Sequence, residues 1–564
     1  MTRVREGFVW LAPPVVVGVI LWIALASPDR AFSVPVNQSP SALTYLAQVK
    51  GVLDDGRQSP LLPWIAPVDF VIVRAIGLTG AEVGGTANLS WLLTLMLGAP
   101  FAAWGYRRLG ISITGACVMG ILFALSPYAL YWNLEEPSVM PFLVPFAATA
   151  ALALATGALA RWPRREMLIL LAGMLLLGLN GREYAYFGAF LTLIGAIAGA
   201  VRRGRAAPAI AGTTRLRGFG AAGAVVTAVI VAATVVSLLP ALRAPVPPDD
   251  PNFRVTAGDS ESTGVKIRQL VGPLPWHWLP LFTEWSRREA TAGFPFESAN
   301  HLSRLGMVAG AGFLALFAAL LIPPYAGRPG PWAGDETVRA ASGLTLAAFL
   351  LATVGGLGTI VSLVIEPVVL VFSRITPFLI FFSLAAIAVW IERAAEGRRR
   401  GQLLWAAVAV FALLDQMVAV RPLHRGVAKA RIEYRQLQGL VETLERQLPP
   451  GARVFQLPDR TDNLQRRVVR MQPNDDLRPY LVSHQLRWRY PARTAAEIRD
   501  DEPRDALEPD ALPERLAQDG FAAIVVDRLG YDDNGEGTLT ALLAAGRTTL
   551  FTQTGRYVAF LVKK

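Results

Sequence analysis

Runs of about twenty consecutive apolar residues recur along most of this 564-residue chain, and they restrict its fold more than any other feature. In hydrocarbon a backbone has no water to bond, so such runs must be helices that satisfy their own peptide groups. Candidate spans lie near 8–26, 89–106, 111–130, 140–160, 166–180, 184–201, 218–240, 303–323, 339–356, 371–391 and 402–420, with 357–370 ambiguous. The expected fold class is therefore a polytopic α-helical membrane protein of about eleven transmembrane helices. With 53% hydrophobic and 17% charged residues the chain is too apolar for an ordinary soluble protein.

The net charge of +11 does not point to nucleic acid, because the arginines cluster between apolar runs, where they set topology. From a cytoplasmic N-terminus, alternation puts inside Arg3/Arg5, Arg107/Arg108, Arg161/Arg164/Arg165, the 202–217 cluster, Arg328/Arg339 and Arg393 with Arg398–Arg400. The short loops on the other side, 131–139 and 357–370, carry no Lys or Arg. That asymmetry predicts a multi-pass protein of the cytoplasmic (inner) membrane whose C-terminus is extracytoplasmic. The first run resembles a signal peptide but lacks a small-x-small cleavage site, so a retained helix is expected. Cys117 is the sole cysteine, which excludes an intramolecular disulfide; inside an apolar run it reads as a small hydrophobe.

Two domains follow, 1–421 in the membrane with long outer loops 27–88 and 241–302, and a soluble extracytoplasmic α/β domain over 422–564. In the first loop SALTYLAQVKGVLDDG and PVDFVIVRAIGL have helical spacing with one apolar face, as helices lying in the membrane interface do. In the C-terminal domain RIEYRQLQGLVETLERQL, PERLAQDG and a segment near 537–545 read as helices, and RVFQLP, FAAIVVDR and RYVAFLV as strands.

The segments YLAQVKGVLDDG, EYAYFGAF, GVKIRQLVGPLPWHW, SRITPFLIFFSL, FALLDQ, GARVFQLP, RPYLVSHQLRW and GFAAIVVDRLGYDDNG resemble a family of bacterial multi-pass membrane proteins described as glycosyltransferases or sugar-handling proteins. The long loop after the first helix and the C-terminal domain resemble the C-type (GT-C) glycosyltransferases. The resemblance implies a GT-C-like fold that takes a sugar from a polyprenyl-phosphate carrier and passes it to an envelope glycan, lipid or protein acceptor outside the cytoplasm. One departure counts against catalysis: where the family has an acidic residue near the start of the first-loop helix, this chain has Ser41. A non-catalytic relative that binds, translocates or scaffolds a lipid-linked glycan is the competing expectation. A secondary transporter fits less well, since paired broken helices and midplane charges are not visible.

Sugar transfer from a lipid phosphate needs a carboxylate to take the acceptor proton and cations to hold the departing phosphate. The catalytic candidates are Asp29, directly after the first helix, then Asp54, Glu135 and Glu136; Asp55 and Asp69 are the other first-loop acids of note. Each has a plainer reading. Asp29 fits a Ser-Pro-Asp turn, Asp54 and Asp55 a helix-ending turn, and Glu135 and Glu136 N-caps of the next span. For the lipid phosphate the candidates are Arg374, Arg254, Lys266 and Arg268, since cations at head-group height suit it and Arg offers a planar fork. Arg374 is preferred, although snorkelling to ordinary lipid explains it too. Substrate contacts are expected from His277 between two tryptophans, from Arg182 and Glu183 at a tight turn, and from Trp488. Interfacial anchoring, a mutual ion pair and core packing are their respective alternatives. Arg487, Asp527 and Tyr531 are weaker acceptor-binding candidates. No metal ligands are assigned, because Asp532, Asp533 and Asn534 before Gly535 lack full calcium-loop spacing. The sequence names no cofactor and leaves a divalent metal open; membrane lipid is an expected partner.

Overall fold

The computed structural model describes residues 2–24, 33–55, 66–132, 140–204, 223–235, 256–294, 303–321, 335–364, 369, 371–394, 398–459, 468–489 and 511–563. Asp29, Glu135, Glu136 and Arg254 lie outside these residues.

Each expected apolar run contains a helix. Five are long and apolar enough to cross a membrane: Glu6–Ala24, Val83–Arg108, Arg182–Arg202, Phe372–Ala394 and Arg399–Val420. Four further apolar helices are shorter, Ile113–Ala124, Pro141–Thr156, Gly223–Val235 and Met307–Leu321. Arg164–Asn180 and Glu336–Ala352 complete the set at 17 residues each. Length and apolarity alone thus support five of the eleven expected spans among the described residues. The run at 111–130 is not one continuous α-helix: the helix stops at Ala124 and a π-turn follows at Tyr128–Trp132.

The bundle packs closely where side chains vanish. Gly195 and Gly199, four residues apart on Arg182–Gly204, lie against the backbone carbonyls of Ala151 and Leu154 on Val144–Thr156, where an added Cβ would collide. Small residues at this spacing let two helix backbones touch, which is how helices adhere in lipid without a hydrophobic driving force.

One end of the bundle carries the basic clusters. There Arg108 approaches Glu6 and Glu166 at 3.9 and 3.7 Å, Arg202 pairs with Glu336 at 3.2 Å, and Arg393 pairs with Asp335. The opposite end carries the two long loops. In the first, helices Pro40–Asp55 and Pro67–Gly77 form as their apolar spacing predicts.

Arg421–Gln447 leads out of the bundle into a five-stranded sheet of order β2-β1-β3-β5-β4. Strands β1 (Arg453–Leu457), β2 (Arg487–Trp488) and β3 (Phe521–Asp527) run parallel; β4 (Thr548–Gln553) and β5 (Tyr557–Val562) complete it antiparallel. The strand β4 is unannounced in the sequence because TTLFTQ has only one large aliphatic and one aromatic residue and sits at the sheet edge, where burial does not dictate pattern. Apolar clusters cover both faces, Leu437, Leu440, Val441 and Leu444 on one and Leu512, Leu516, Leu539 and Leu542 on the other.

Replacing Gly195 by valine forces the two backbones apart, and overpacking of this kind costs about 1–3 kcal/mol. The expected outcome is a lowered thermal midpoint for detergent-solubilised Gly195→Val, with Gly343→Ala, where an added Cβ meets nothing, as the unaffected control.

Candidate functional site

At the loop-bearing end, three residues from two sequence-distant turns converge. Asn180–Gly181 closes one helix, and the next begins with Arg182 and Glu183, so Glu183 lies in a first turn, where the helix dipole favours an anion. Arg374 sits in the short turn Phe372–Ile375 ahead of Thr376–Ala394. The second long loop seats that turn: Thr263 accepts the Phe372 N–H on Oγ1 at 2.9 Å and the Ser373 N–H on its carbonyl at 3.0 Å. Arg374 Nη1 then lies 3.0 Å from Glu183 Oε1, with the two side chains 8% and 5% exposed, while Arg182 Nε reaches the same oxygen at 3.5 Å.

Two expectations are corrected by this geometry. Arg374 is not an outward cation snorkelling to lipid, since buried charge is tolerated only with a partner and Glu183 supplies it. Arg182 and Glu183 do not merely pair with each other. Together the three groups carry a net charge of +1, and Arg182, 40% exposed, is the open side of the cluster. Nearby, the hydroxyls of Tyr128 and Tyr184 stand 3.2 Å apart.

Asp69, a minor candidate in the sequence, is the buried carboxylate of the first loop. It is 2% exposed in the first turn of Pro67–Gly77, facing the hydroxyls of Tyr45 and Ser90, and its Oδ2 has no hydrogen-bond partner among the described residues. Burial pushes its pKa up from 3.8 to about 7, partly opposed by the two hydroxyls. A carboxylate poised near neutrality is suited to accepting a proton. A thread of contacts links it to the arginines: one turn beyond Ser90, Thr94 donates to Met140 Sδ at 3.0 Å, and the Met140 carbonyl accepts Asn180 Nδ2 at 2.8 Å, three residues before Glu183.

His277 is buried rather than exposed to stack on a sugar. Its Nδ1 accepts the Leu279 N–H at 3.0 Å, so in the neutral ring the proton sits on Nε2, 3.3 Å from Asp415 Oδ1. Asp415 Oδ2 in turn accepts the Met307 N–H at 2.7 Å. This pair ties the second long loop to the last long apolar helix, and Asp415 stands out in the sequence only through its place in the FALLDQ resemblance. Beside it, Arg268 and Arg304 both bond Glu289, at 2.8 and 2.7 Å, and the Arg268 guanidinium lies 4.0 Å from the centre of the Phe294 ring. Arg268 thus shares one carboxylate with Arg304, and this trio, like the first, carries a net charge of +1. Lys266 stands half-buried at the start of the short helix Ile267–Val271.

The remaining candidates lie apart from this cluster. Asp54 is exposed and bonds Lys50 one helical turn earlier at 2.7 Å, which accounts for it without catalysis. Trp488 is 6% exposed within the C-terminal apolar core, so its ring does not present a face to a glycan. Asp527 is held by Arg556 at 2.6 Å, Tyr531 packs against the second apolar cluster of that domain, and Arg487 stays exposed on β2. No group of three or more His, Cys, Asp or Glu arranged to hold a metal occurs among the described residues.

No family model matches the chain, and no curated protein matches it. Among solved structures, 98% of the chain is similar to 97% of ArnT from Cupriavidus metallidurans in the apo state, with 14% identity and a TM-score of 0.49. A likeness of 14% identity and TM-score 0.45 extends to arabinofuranosyltransferase AftD from Mycobacteria, of which this chain spans about 40%.

The raised pKa of Asp69 fixes the sign of a pH effect. The folded protein holds a proton there that the unfolded chain releases, so this group's contribution to stability falls as pH rises from 3.8 to about 7. Asp69→Asn removes the penalty. Its thermal midpoint should exceed that of the wild type by more at pH 8 than at pH 5 in parallel melts; an equal difference at both pH values would show that Asp69 does not titrate in this window.

Proposed function

We propose that this protein is a membrane glycosyltransferase that moves a sugar from a polyprenyl-phosphate donor to an envelope glycan, lipid or protein on the extracytoplasmic side of the cytoplasmic membrane. The observation that carries the reading is the Arg182–Glu183–Arg374 cluster, an ion arrangement of net positive charge at the helix ends beside both long loops. The resemblance of the segments that hold it, EYAYFGAF and SRITPFLIFFSL, to sugar-handling membrane proteins supports the same assignment.

In this reading the donor phosphate meets Arg182 first, and Arg374 with Glu183 sets the guanidinium geometry behind it. As the bond between the sugar C1 and the phosphate oxygen breaks, negative charge grows on the polyprenyl phosphate, and the cationic cluster stabilises it. A first-loop carboxylate takes the proton of the acceptor hydroxyl as that oxygen bonds to C1. Asp69 has the buried position and the near-neutral pKa for this task, and Asp29 is the second candidate. The domain over 422–564 faces the acceptor side. Eleven spans, with the N-terminus in the cytoplasm, place all of these groups outside.

A second reading rests on Ser41, which is exposed on the first-loop helix at the place where the resembled family has an acid. There the same cluster binds a lipid-linked glycan without transferring it.

Mass spectrometry of envelope glycans and polyprenyl-linked sugars separates the two. A deletion strain should lose one sugar and accumulate its polyprenyl-phosphate donor, with rescue by the wild type but not by Arg374→Ala. If Asp69→Asn and Asp29→Asn both rescue fully, no first-loop acid of this pair is the base and the binding reading gains. Unchanged glycans and unchanged lipid-linked intermediates in the deletion strain would end the transferase assignment. Arg182→Ala should weaken rescue less than Arg374→Ala, since loss of Arg374 leaves the buried Glu183 with only the half-exposed Arg182 at 3.5 Å, and breaking a buried pair costs about 3–5 kcal/mol.

A further inference from the structure

The helix Pro40–Asp55 lies between two bodies. On one side it packs against Pro67–Gly77 and Val83–Arg108, where the Tyr45 hydroxyl donates to Ser90 Oγ at 3.4 Å and faces Asp69. On the other it meets the C-terminal domain, more than 400 residues away in sequence. Asn474 Nδ2 donates to the Pro40 carbonyl at 2.9 Å and to Thr44 Oγ1 at 3.1 Å, and Arg478 bonds Gln38 just ahead of the helix. Leu477 and Leu481 enter the same apolar cluster as Leu43, Tyr45 and Leu46.

The domain holds these contacts rigidly. Arg478 Nε bonds Asp475 Oδ1 at 2.6 Å, and Arg556 Nη2 reaches Asp475 Oδ2 at 2.7 Å and Asp527 Oδ2 at 2.6 Å. Burial alone would raise the Asp475 pKa, but Arg478 and Arg556 overcome it and hold it below the ordinary range. The docking turn is thus fastened to β3 and β5 of the sheet.

From this we infer that the C-terminal domain is a clamp: Asn474, Leu477, Arg478 and Leu481 are positioning residues that press the first-loop helix inward and keep Tyr45 over Asp69, shutting water away from that carboxylate. The inference rests on the proposed transferase only for its consequence, control of a base by a distant domain; the contact itself is independent of any reaction. Asp69 is dry because the Tyr45 side of its pocket is closed, and the closing force comes from the far face of the helix. Among the described residues no other charged group on the packed elements faces Asp69: Glu82 caps the start of Val83–Arg108, and Asp475 and Asp476 lie in the docking turn of the C-terminal domain. Lys50 bonds Asp54, Arg74 donates to the Val52 carbonyl at 3.3 Å, and Arg107, Arg108 and Arg164–Glu166 lie at the far ends of their helices. Tyr45 and Ser90 are the groups that face Asp69 directly.

The test uses full-length protein in phosphatidylcholine–phosphatidylglycerol nanodiscs and follows Asp69 by infrared pH titration, the Asp69→Asn difference spectrum identifying its carboxyl band. Asn474→Gly suits the backbone there, whose φ is 65°, so it removes the side chain without strain. Combined with Arg478→Ala it should lower the titration midpoint by about one pH unit or more as water reaches the carboxyl. Hydrogen exchange should rise in Pro40–Asp55 while β1, β3 and β5 stay protected, and Arg478→Lys alone should restore most of the wild-type midpoint. Should the double variant unfold its sheet, Leu481→Ala, which trims only the apolar contact, should move the band in the same direction. A midpoint that stays put while the first-loop helix exchanges faster overturns the clamp, as does an unmoved midpoint and unmoved exchange in Leu481→Ala. Because this signal needs no sugar donor, failure of a transfer assay leaves the result standing, and failure of the titration leaves the transferase reading standing.

Discussion

A charge taken out of water must meet an opposite charge, and at the loop-bearing end of this bundle that requirement joins segments that are otherwise far apart. Glu183 bonds Arg374 from almost two hundred positions away, Asp415 meets His277 across the second long loop, and Glu289 gathers Arg268 and Arg304. Each pair pins a turn or loop to a helix end that lipid-facing packing alone would leave free to slide, since apolar helices slide against one another at little cost. The ion pairs therefore fix where the loops lie, and the loops fix where a chemical site forms.

The two ends of the bundle differ in how they use charge. At the basic end the pairs are mostly half-exposed, among them Arg202 with Glu336 and Arg393 with Asp335, and they contribute little to stability. At the loop end Glu183 with Arg374, His277 with Asp415 and Glu289 with Arg304 are buried, beside exposed pairs such as Glu284 with Arg287 and Arg288. Buried pairs of this kind mark the more organised end, because a buried ion is retained only where its neighbours are arranged around it.

The C-terminal domain belongs to the same scheme. Its sheet carries a buried Arg556 between Asp475 and Asp527, and the turn so fastened reaches the first-loop helix through Asn474 and Arg478. The domain is thus not a free appendage at the end of the last apolar helix. It shares an apolar cluster with the helix that covers Asp69.

Much of this was legible in the sequence. Apolar runs fixed the helices, because a backbone in hydrocarbon has one local solution, and the amphipathic spacing of Pro40–Asp55 and Pro67–Gly77 appeared as helices where it was read. Strands β1, β3 and β5 followed from short apolar runs, whereas the edge strand β4 lacked a buried pattern and was invisible. Individual residues at the site were named as candidates, Arg374, Arg182, Glu183, Arg268 and His277 among them, since charge or polarity at a membrane edge is conspicuous. Their partners were not. That Glu183 binds Arg374, that Glu289 gathers Arg268 and Arg304, that Trp488 is core, and that Asp69 is buried while Asp54 is exposed depend on distances between segments remote in the chain. The sequence by itself determined which elements form, because periodicity and solvation act locally. Only the tertiary structure decided which charges are cancelled and which carboxylate is dry, because desolvation and Coulomb energy depend on what stands within a few ångströms, and one-dimensional order does not contain that.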